Sequence, residues 1–270
     1  MFQLQSTSRT KLDLRTQRWH FIGILGTGMR SLARYAAECG AQITGSDTAL
    51  NPSIHALRHM GIDVSLQQEG SKLSPETTVV VASQAIDDSN PELRRARNLG
   101  LDIVRFPELL GQLMEYQKGI AVSGTHGKST TSSIVAYVMK QAGMDPSYLI
   151  GADVPQLEGG SHYGRGDYLV AEACEYKRSF LYLQPHLGII NNIDVDHLDY
   201  YYDLWDIQEA FIEFAEATTE DGTLITNADD PNTQRVVQEA GVPTVTYGID
   251  DRKANYGAER LWRAKVHTIF

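Results

Sequence analysis

The sequence predicts an α/β protein in which mostly parallel strands alternate with helices. Short apolar runs such as 77–82 (TTVVVA) and 168–171 (YLVA) are typical of buried strands. Helical segments separate these runs, and repeated alternation of this kind builds a mostly parallel sheet with helices on both faces. At 26–28 and at 124–127 a strand leads through a glycine-rich turn directly into a helix, the layout of nucleotide-binding α/β domains.

The predicted elements follow from hydrophobic spacing and from turn residues. In the first part of the chain, strands are predicted at 19–25, 42–46, 63–66, 77–82 and 102–106, with helices after the first strand and at 52–60, 91–99 and 107–116. In the second part, strands are predicted at 120–122, 168–171, 187–193, 223–226 and 242–247, with helices after residue 129 and from residue 204.

The length of the chain and one polar stretch within it predict two domains. A chain of 270 residues is long enough for about two of them. The polar stretch 117–119 lies between two runs of alternating elements and is the predicted boundary. We therefore expect a first domain over 1–118 and a second, partial domain over 119–270.

Composition narrows the possible partners. The net charge is −10, so a broad nucleic-acid-binding surface is not expected. The two cysteines lie far apart, which argues against a disulfide framework and favours a reducing compartment. No apolar run of membrane length and no hydrophobic leader is seen, so we expect a cytoplasmic protein without a membrane partner. Composition makes no prediction of the oligomeric state.

The first glycine turn connects a strand to a helix. Gly26, Thr27 and Gly28 follow the strand at 19–25, and the second strand ends at Asp47. An acidic residue at that point is typical of nucleotide-binding βαβ units. The glycines do not keep the strict GxGxxG spacing, so a turn required only for packing remains an equal alternative on this evidence.

The second glycine turn has the composition of a phosphate cradle. A buried strand at 120–122 precedes GTHGKS at 124–129, and a helix follows. Backbone N–H groups and the helix dipole favour an anion there, Lys128 would reach the outer phosphates, and the Ser129 hydroxyl would bind Mg²⁺. The P-loop pattern is incomplete because Val122 stands where it has glycine, so an ordinary βα turn is the alternative. The predicted apolar face of the helix consists of Ile134, Val135, Val138, Met139 and Ala142.

Two further residues at strand ends complete a candidate site. Glu172 ends one predicted strand, and His197 follows another in the segment DVDH. Ligands bind at the carboxyl ends of strands in open α/β sheets. Ser129 and Glu172 would supply hard oxygen ligands for Mg²⁺, with His197 nearby. Taken singly, Glu172 could be a solvated strand-end carboxylate and His197 a packing residue.

Six segments carry a recognisable pattern. In the second domain they are SGTHGKSTTSSIVAYVMKQAG, YLVAEACEYKRSFLYLQP and NNIDVDHLDYY, and in the first they are HFIGILGTGMRSLA, TGSD and NPEL. In this order and spacing, they resemble the Mur ligases. The resemblance covers about residues 19–247 and implies a Rossmann-like UDP-binding domain followed by a P-loop-type ATPase α/β domain. The latter would be incomplete, and the family's C-terminal ligase domain would be absent.

The resemblance also implies roles for individual residues. The UDP-sugar site would contain Gly26, Thr27, Gly28, Met29 and Asp47. The ATP phosphates would be held by Gly124, Thr125, His126, Gly127, Lys128, Ser129 and Thr130. Ser129 and Glu172 would bind one Mg²⁺ and His197 a second, and the catalytic residues would be Lys128, Glu172 and His197.

The implied activity is ATP-driven amide formation, in which a substrate carboxylate becomes an acyl phosphate and an amine then displaces phosphate. The substrates would be UDP-N-acetylmuramate and L-alanine. No lysine occurs from Arg178 through Arg252, where several Mur ligases carry a carbamylated lysine, which favours the alanine-adding branch or its relative that recycles a murein tripeptide. A nucleotide-binding protein without complete ligase activity and a P-loop phosphotransferase remain alternatives.

The sequence departs from the family pattern in three places. Arg30 replaces a small residue in the first turn, and EACEYKRSF stands where EADESDxSF is commoner. The segment after Tyr247 is basic and matches no part of the family pattern that we can place.

Overall fold

A computed structural model describes residues 14–257, which form two sheets. Residues 1–13 and 258–270 lie outside the described part of the chain, and the latter include Arg260, Arg263 and Lys265 of the basic segment after Tyr247. None of the helices within the described residues is long and apolar enough to cross a membrane.

The first sheet has five parallel strands in the order β3-β2-β1-β4-β5. The chain adds strands on one side of β1 and then crosses to the other side, and such a reversal creates a crevice at the carboxyl ends of the strands. The strands are β1 (Arg18–Ile22), β2 (Gln42–Ser46), β3 (Asp63–Ser65), β4 (Val79–Ala82) and β5 (Asp102–Arg105). The helices are α1 (Thr27–Glu38), α2 (Ile54–His59), α3 (Pro91–Asn98) and α4 (Phe106–Met114).

The second sheet has eight strands in the order β13-β12-β11-β10-β6-β9-β7-β8, and all its described pairs are parallel except β7 with β8. Its strands are β6 (Lys118–Ser123), β7 (Ser147–Leu149), β8 (Ser161–His162), β9 (Tyr168–Glu172), β10 (Leu187–Ile190), β11 (Thr223–Asn227), β12 (Thr244–Gly248) and β13 (Tyr256–Gly257). Its helices are α5 (Lys128–Gln141), α6 (Leu204–Glu216) and α7 (Pro231–Ala240), with 3₁₀ segments at Pro155–Leu157 and Tyr176–Tyr182.

Strand β6 lies between β10 and β9, and this position determines where the candidate site forms. Val122 is in register with Glu172 on β9, and Ser123 is in register with Ile190 on β10. The glycine turn after β6, the end of β9 and the loop after β10 therefore meet at one edge of the sheet. The predicted parallel α/β architecture is confirmed, and it brings distant segments of the chain to this edge.

The predicted apolar face of α5 is wrong in part. Ile134 and Val138 are each 58% exposed, whereas Ser132 and Ala136 are fully buried. Small side chains on the inner face allow the helix backbone to approach the sheet closely. Apolar spacing at four-residue intervals identified the helix but not the face that packs.

Several element boundaries also differ from the prediction. Strand β1 ends at Ile22 instead of residue 25, because Gly23 adopts φ +81° and starts the turn. Helix α7 was not predicted, although Asp230 caps its N-terminus by accepting hydrogen bonds from two backbone N–H groups and Pro231 occupies its first position. Both errors concern local turn chemistry rather than hydrophobic spacing.

Candidate nucleotide and metal site

Two glycines shape the turn between β6 and α5. Gly124 has φ +131°, and a Cβ there would lie 3.0 Å from the carbonyl oxygen of Asn192. Gly127 has φ +82° and forms the N-cap of α5, with no capping side chain among the described residues. The first N–H groups of α5 therefore remain open to an anion, as a phosphate cradle requires.

Two asparagines after β10 hold the cradle backbone in place. The amide N–H of Thr125 donates to Asn192 O at 3.0 Å, and that of His126 donates to Asn192 Oδ1 at 2.8 Å. The Asn192 side-chain amide in turn donates to His126 O at 3.1 Å, and the Asn191 amide donates to the same oxygen at 3.3 Å. This NN pair lies within the segment NNIDVDHLDYY, and no role was predicted for it from the sequence.

Lys128 folds back over the mouth of the cradle. Its Nζ donates to Gly124 O at 2.7 Å, to Thr125 O at 3.2 Å and to Glu175 Oε1 at 3.0 Å. Glu175 is only 2% exposed, so the Lys128–Glu175 ion pair is largely shielded from water. The Lys128 ammonium group, which the sequence predicts to bind phosphate, is therefore paired with the Glu175 carboxylate.

Glu175 also connects Lys128 to the histidine. His197 Nε2 lies 3.7 Å from Glu175 Oε1, and His197 Nδ1 lies 3.9 Å from Asp196 Oδ1. One ligand atom from each of Glu175, Asp196 and His197 lies within 4.8 Å of the others. His197 has φ +53°, an uncommon backbone conformation for a residue other than glycine, and such strain is frequent at functional sites.

Glu172 points to a different partner. Its Oε1 accepts a hydrogen bond of 2.7 Å from the backbone N–H of Gly151. Ser129 lies in the first turn of α5, where its carbonyl oxygen accepts a hydrogen bond from the Ser133 hydroxyl. The structure therefore brings Lys128 and His197 together through Glu175, while Glu172 is oriented separately, from the segment after β7.

Cys174 lies between the two glutamates of this loop. Although Cys174 is an exposed residue, partial desolvation of its thiol raises the thiol pKa, and the adjacent Glu175 carboxylate adds to the shift. The thiol is therefore protonated near neutral pH and is a weak nucleophile.

The first glycine turn lies at the point where the order of the first sheet reverses. Gly26 is the N-cap of α1, and no side chain of the described residues caps it. A Cβ on Gly28 would approach Phe106 Cζ to 3.0 Å, so this glycine is needed for packing. Met29 is 3% exposed, which leaves only its backbone for a ligand, whereas Thr27 is exposed. Asp47 accepts hydrogen bonds from the N–H groups of Leu25 and Ala49 and so supports the turn.

The two mainly parallel sheets and the open N-terminus of α5 give this molecule the architecture of the nucleotide-binding α/β proteins. Residues 122–269 match the Mur ligase middle domain, and residues 18–130 match the Mur ligase family, catalytic domain. The chain belongs to the Mur ligase family.

Relatives with curated names agree with this assignment. The chain is 40% identical over 233 residues to the UDP-N-acetylmuramate–L-alanine ligase of Clostridium novyi, covering 86% of this chain and 51% of that protein. It is 39% identical over 238 residues to the protein of the same name from Desulfitobacterium hafniense, covering 88% and 52%. The chain thus spans about half the length of the curated relatives it matches.

Solved structures with the same fold include two kinds of ligase. The UDP-N-acetylmuramate–alanine ligase of Thermotoga maritima matches with a TM-score of 0.78 and 28% identity, over 90% of this chain and 54% of that one. A murein peptide ligase from Psychrobacter arcticus matches with a TM-score of 0.79 and 26% identity, over 91% and 56%.

Proposed function

We propose that this chain forms the sugar-nucleotide-binding and ATP-binding part of a ligase that joins L-alanine to UDP-N-acetylmuramate. The observation that carries the proposal is Lys128, which lies at the mouth of an open helix N-terminus with its ammonium group held by the buried carboxylate of Glu175. An anion-accepting helix end and a poised cation are what ATP phosphates require. The names of the curated relatives support the choice of substrates.

In the proposed reaction, an oxygen of the sugar-nucleotide carboxylate attacks the γ-phosphorus of ATP, and the bond to the ADP oxygen breaks. The amine of alanine then attacks the acyl phosphate, forming the amide and releasing inorganic phosphate and a proton. Backbone N–H groups of α5 would hold the phosphates, and Lys128 would exchange Glu175 for a phosphate oxygen. Binding in this cradle orients the triphosphate, and the lysine offsets the negative charge that converges on it.

Mg²⁺ fits the donor atoms of this site. Carboxylates, a hydroxyl and one imidazole are available, and Mg²⁺ prefers oxygen ligands. Glu175 Oε2 lies 2.9 Å from Lys128 Nζ, and it would become available to a cation once Lys128 exchanges Glu175 for a phosphate oxygen. We assign one Mg²⁺ to Ser129 and Glu172 and a second to His197 with Glu175 and Asp196. When bound, Mg²⁺ would neutralise charge on the phosphate and carboxylate oxygens.

The first domain, proposed to span residues 1–118, would bind the UDP-sugar at Gly26–Met29, and the remainder would bind ATP. The open N-cap of α1 at the reversal point of the first sheet supports this placement. Because the reaction consumes ATP and a nucleotide sugar, we propose a cytoplasmic location.

A second candidate is the recycling ligase, which would attach a peptide to the same sugar nucleotide. The similarity of this chain to a murein peptide ligase supports this second candidate. Both functions require the same two nucleotide sites and differ in the amine.

Calorimetric titration of this chain with UDP-N-acetylmuramate, and separately with ATP and Mg²⁺, tests the proposal. We expect both to bind, and Lys128→Ala to weaken ATP binding by about 10- to 100-fold, because a charge-assisted hydrogen bond is lost. Lys140→Ala, at the exposed far end of the same helix, is the control and should bind ATP normally. Absence of sugar-nucleotide binding would contradict the substrate assignment, and unchanged ATP affinity in Lys128→Ala would contradict the cradle.

A further inference from the structure

The peptide bond between Ile150 and Gly151 makes one hydrogen bond to a residue of the first sheet unit and one to a residue of the second. The carbonyl oxygen of Ile150 accepts a 2.9 Å hydrogen bond from the hydroxyl of Ser31 on α1. The N–H of Gly151, which belongs to the same peptide bond, donates to Glu172 Oε1 at 2.7 Å. A residue of the first sheet unit therefore contacts, through one peptide, a carboxylate of the nucleotide site.

This peptide is fixed by its surroundings. Ile150 is fully buried, Ser31 is 8% exposed, and the N–H of Ile150 donates to Gly160 O at 2.7 Å. A Cβ on Gly160 would lie 3.2 Å from the Ser31 hydroxyl oxygen, so the backbone and the serine are closely packed. Interior packing of this density leaves the peptide little freedom to rotate away from either partner.

The same face of α1 makes two more contacts with the second unit. Arg34 lies against Gly159, where a Cβ would come 2.6 Å from Nη1, and Glu38 Oε2 accepts a 2.7 Å hydrogen bond from the N–H of Tyr163. Ser31, Arg34 and Glu38 are spaced by three and four residues and so share one face of the helix. The Ser31 hydrogen bond thus belongs to a continuous line of contacts along α1.

We propose that the Ile150–Gly151 peptide positions the Glu172 carboxylate and that Ser31 fixes this peptide from α1. This inference rests on the proposed role of Glu172 as a Mg²⁺ ligand. Serial hydrogen bonds polarise one another, and partners that orient a metal ligand contribute to metal affinity. Helix α1 also carries the proposed UDP-sugar cradle at its N-terminus, so the geometry of the metal site depends on the element that binds the other substrate.

The test compares nucleotide affinity with and without metal, because a positioning role changes the ratio of the two. AMP-PNP would be titrated by calorimetry into the chain in EDTA and in excess Mg²⁺. Ser31→Ala removes the hydroxyl without adding volume. Gly151→Ala keeps an allowed backbone but places a Cβ 3.2 Å from Glu172 Oε2, which displaces the carboxylate.

We expect each variant to lower the Mg²⁺-dependent gain in affinity by about 10-fold, the lower end of the range for partners of metal ligands. Affinity in EDTA should stay unchanged. Ser65→Ala is the matched control, since it removes a serine hydroxyl that donates to a backbone carbonyl in an exposed turn of the first unit. It should leave both affinities unchanged.

Glu172→Gln distinguishes the positioning role of the peptide from the metal-ligand role of Glu172. If Glu172→Gln lowers the Mg²⁺-dependent gain while Ser31→Ala and Gly151→Ala do not, the positioning role is wrong and the metal assignment stands. If Glu172→Gln has no effect on that gain, Glu172 is not a ligand and the inference fails with the assignment. Equal losses with and without Mg²⁺ in Ser31→Ala would indicate a general packing role and would also overturn the inference.

Discussion

Replacement of Glu175 by glutamine should strengthen nucleotide binding in the absence of metal and reduce the gain in affinity that Mg²⁺ provides. The carboxylate lies 2.9–3.0 Å from Lys128 Nζ and is 2% exposed, so it competes directly with a phosphate for the ammonium group. The amide keeps the shape of the side chain and removes its charge. Lys128 would then be released more easily, whereas the cation site with His197 would lose a charged ligand.

The contacts of Glu175 determine the size of each effect. A hydrogen bond to a charged group contributes about 1.5–3 kcal/mol, so metal-free AMP-PNP should bind about 10-fold or more tightly to Glu175→Gln. The gain in affinity from Mg²⁺ should fall by a similar factor. Breaking a buried ion pair costs about 3–5 kcal/mol, but Lys128 retains two backbone acceptors, and we expect a loss of about 1–2 kcal/mol in the free energy of unfolding.

Calorimetry in EDTA and in Mg²⁺, together with urea unfolding of the free chain, measures all three quantities. Glu209→Gln is the control, because that exposed carboxylate accepts a hydrogen bond from Trp205 away from the cradle. Metal-free affinity equal to that of the unaltered chain would refute the idea that Glu175 competes with phosphate for Lys128.

Two further variants test the cradle and the helix that follows the histidine loop. Gly127→Ala should cost about 1–2 kcal/mol of folding stability and weaken ATP binding, because φ +82° is strained for alanine; normal stability by urea unfolding would contradict this. Asp206 has a pKa below its usual range, first because it accepts a hydrogen bond from the N–H of Tyr202 and also because it pairs with Arg178. Its contribution to folding stability is therefore present at neutral pH and is lost as pH falls through the folded-state pKa. Asp206→Asn should therefore lose up to about 1 kcal/mol at pH 7, and the difference should disappear in acid; a difference independent of pH in urea unfolding would refute it.

Local features of the sequence were sufficient for most of the helices and strands, although helix α7 was missed. The strand before Gly124, the glycine turn and the helix after it were predicted from adjacent residues, and the structure has each of them. The helix face was wrong at Ile134 and Val138 because spacing alone does not specify which stripe meets the sheet. The proposed ligand roles of Ser129, Glu172 and His197 stay predictions.

The sequence by itself determined the α/β class, the two glycine turns and the strand-end residues, because hydrophobic period and turn chemistry act over a few neighbouring positions. Tertiary structure decided which groups meet. Lys128 and Glu175 are 47 positions apart, His126 and Asn192 are 66 apart, and Ser31 and Ile150 are 119 apart. These contacts depend on the order of strands in the sheets and on the packing of α1 against the second unit, which no local pattern specifies.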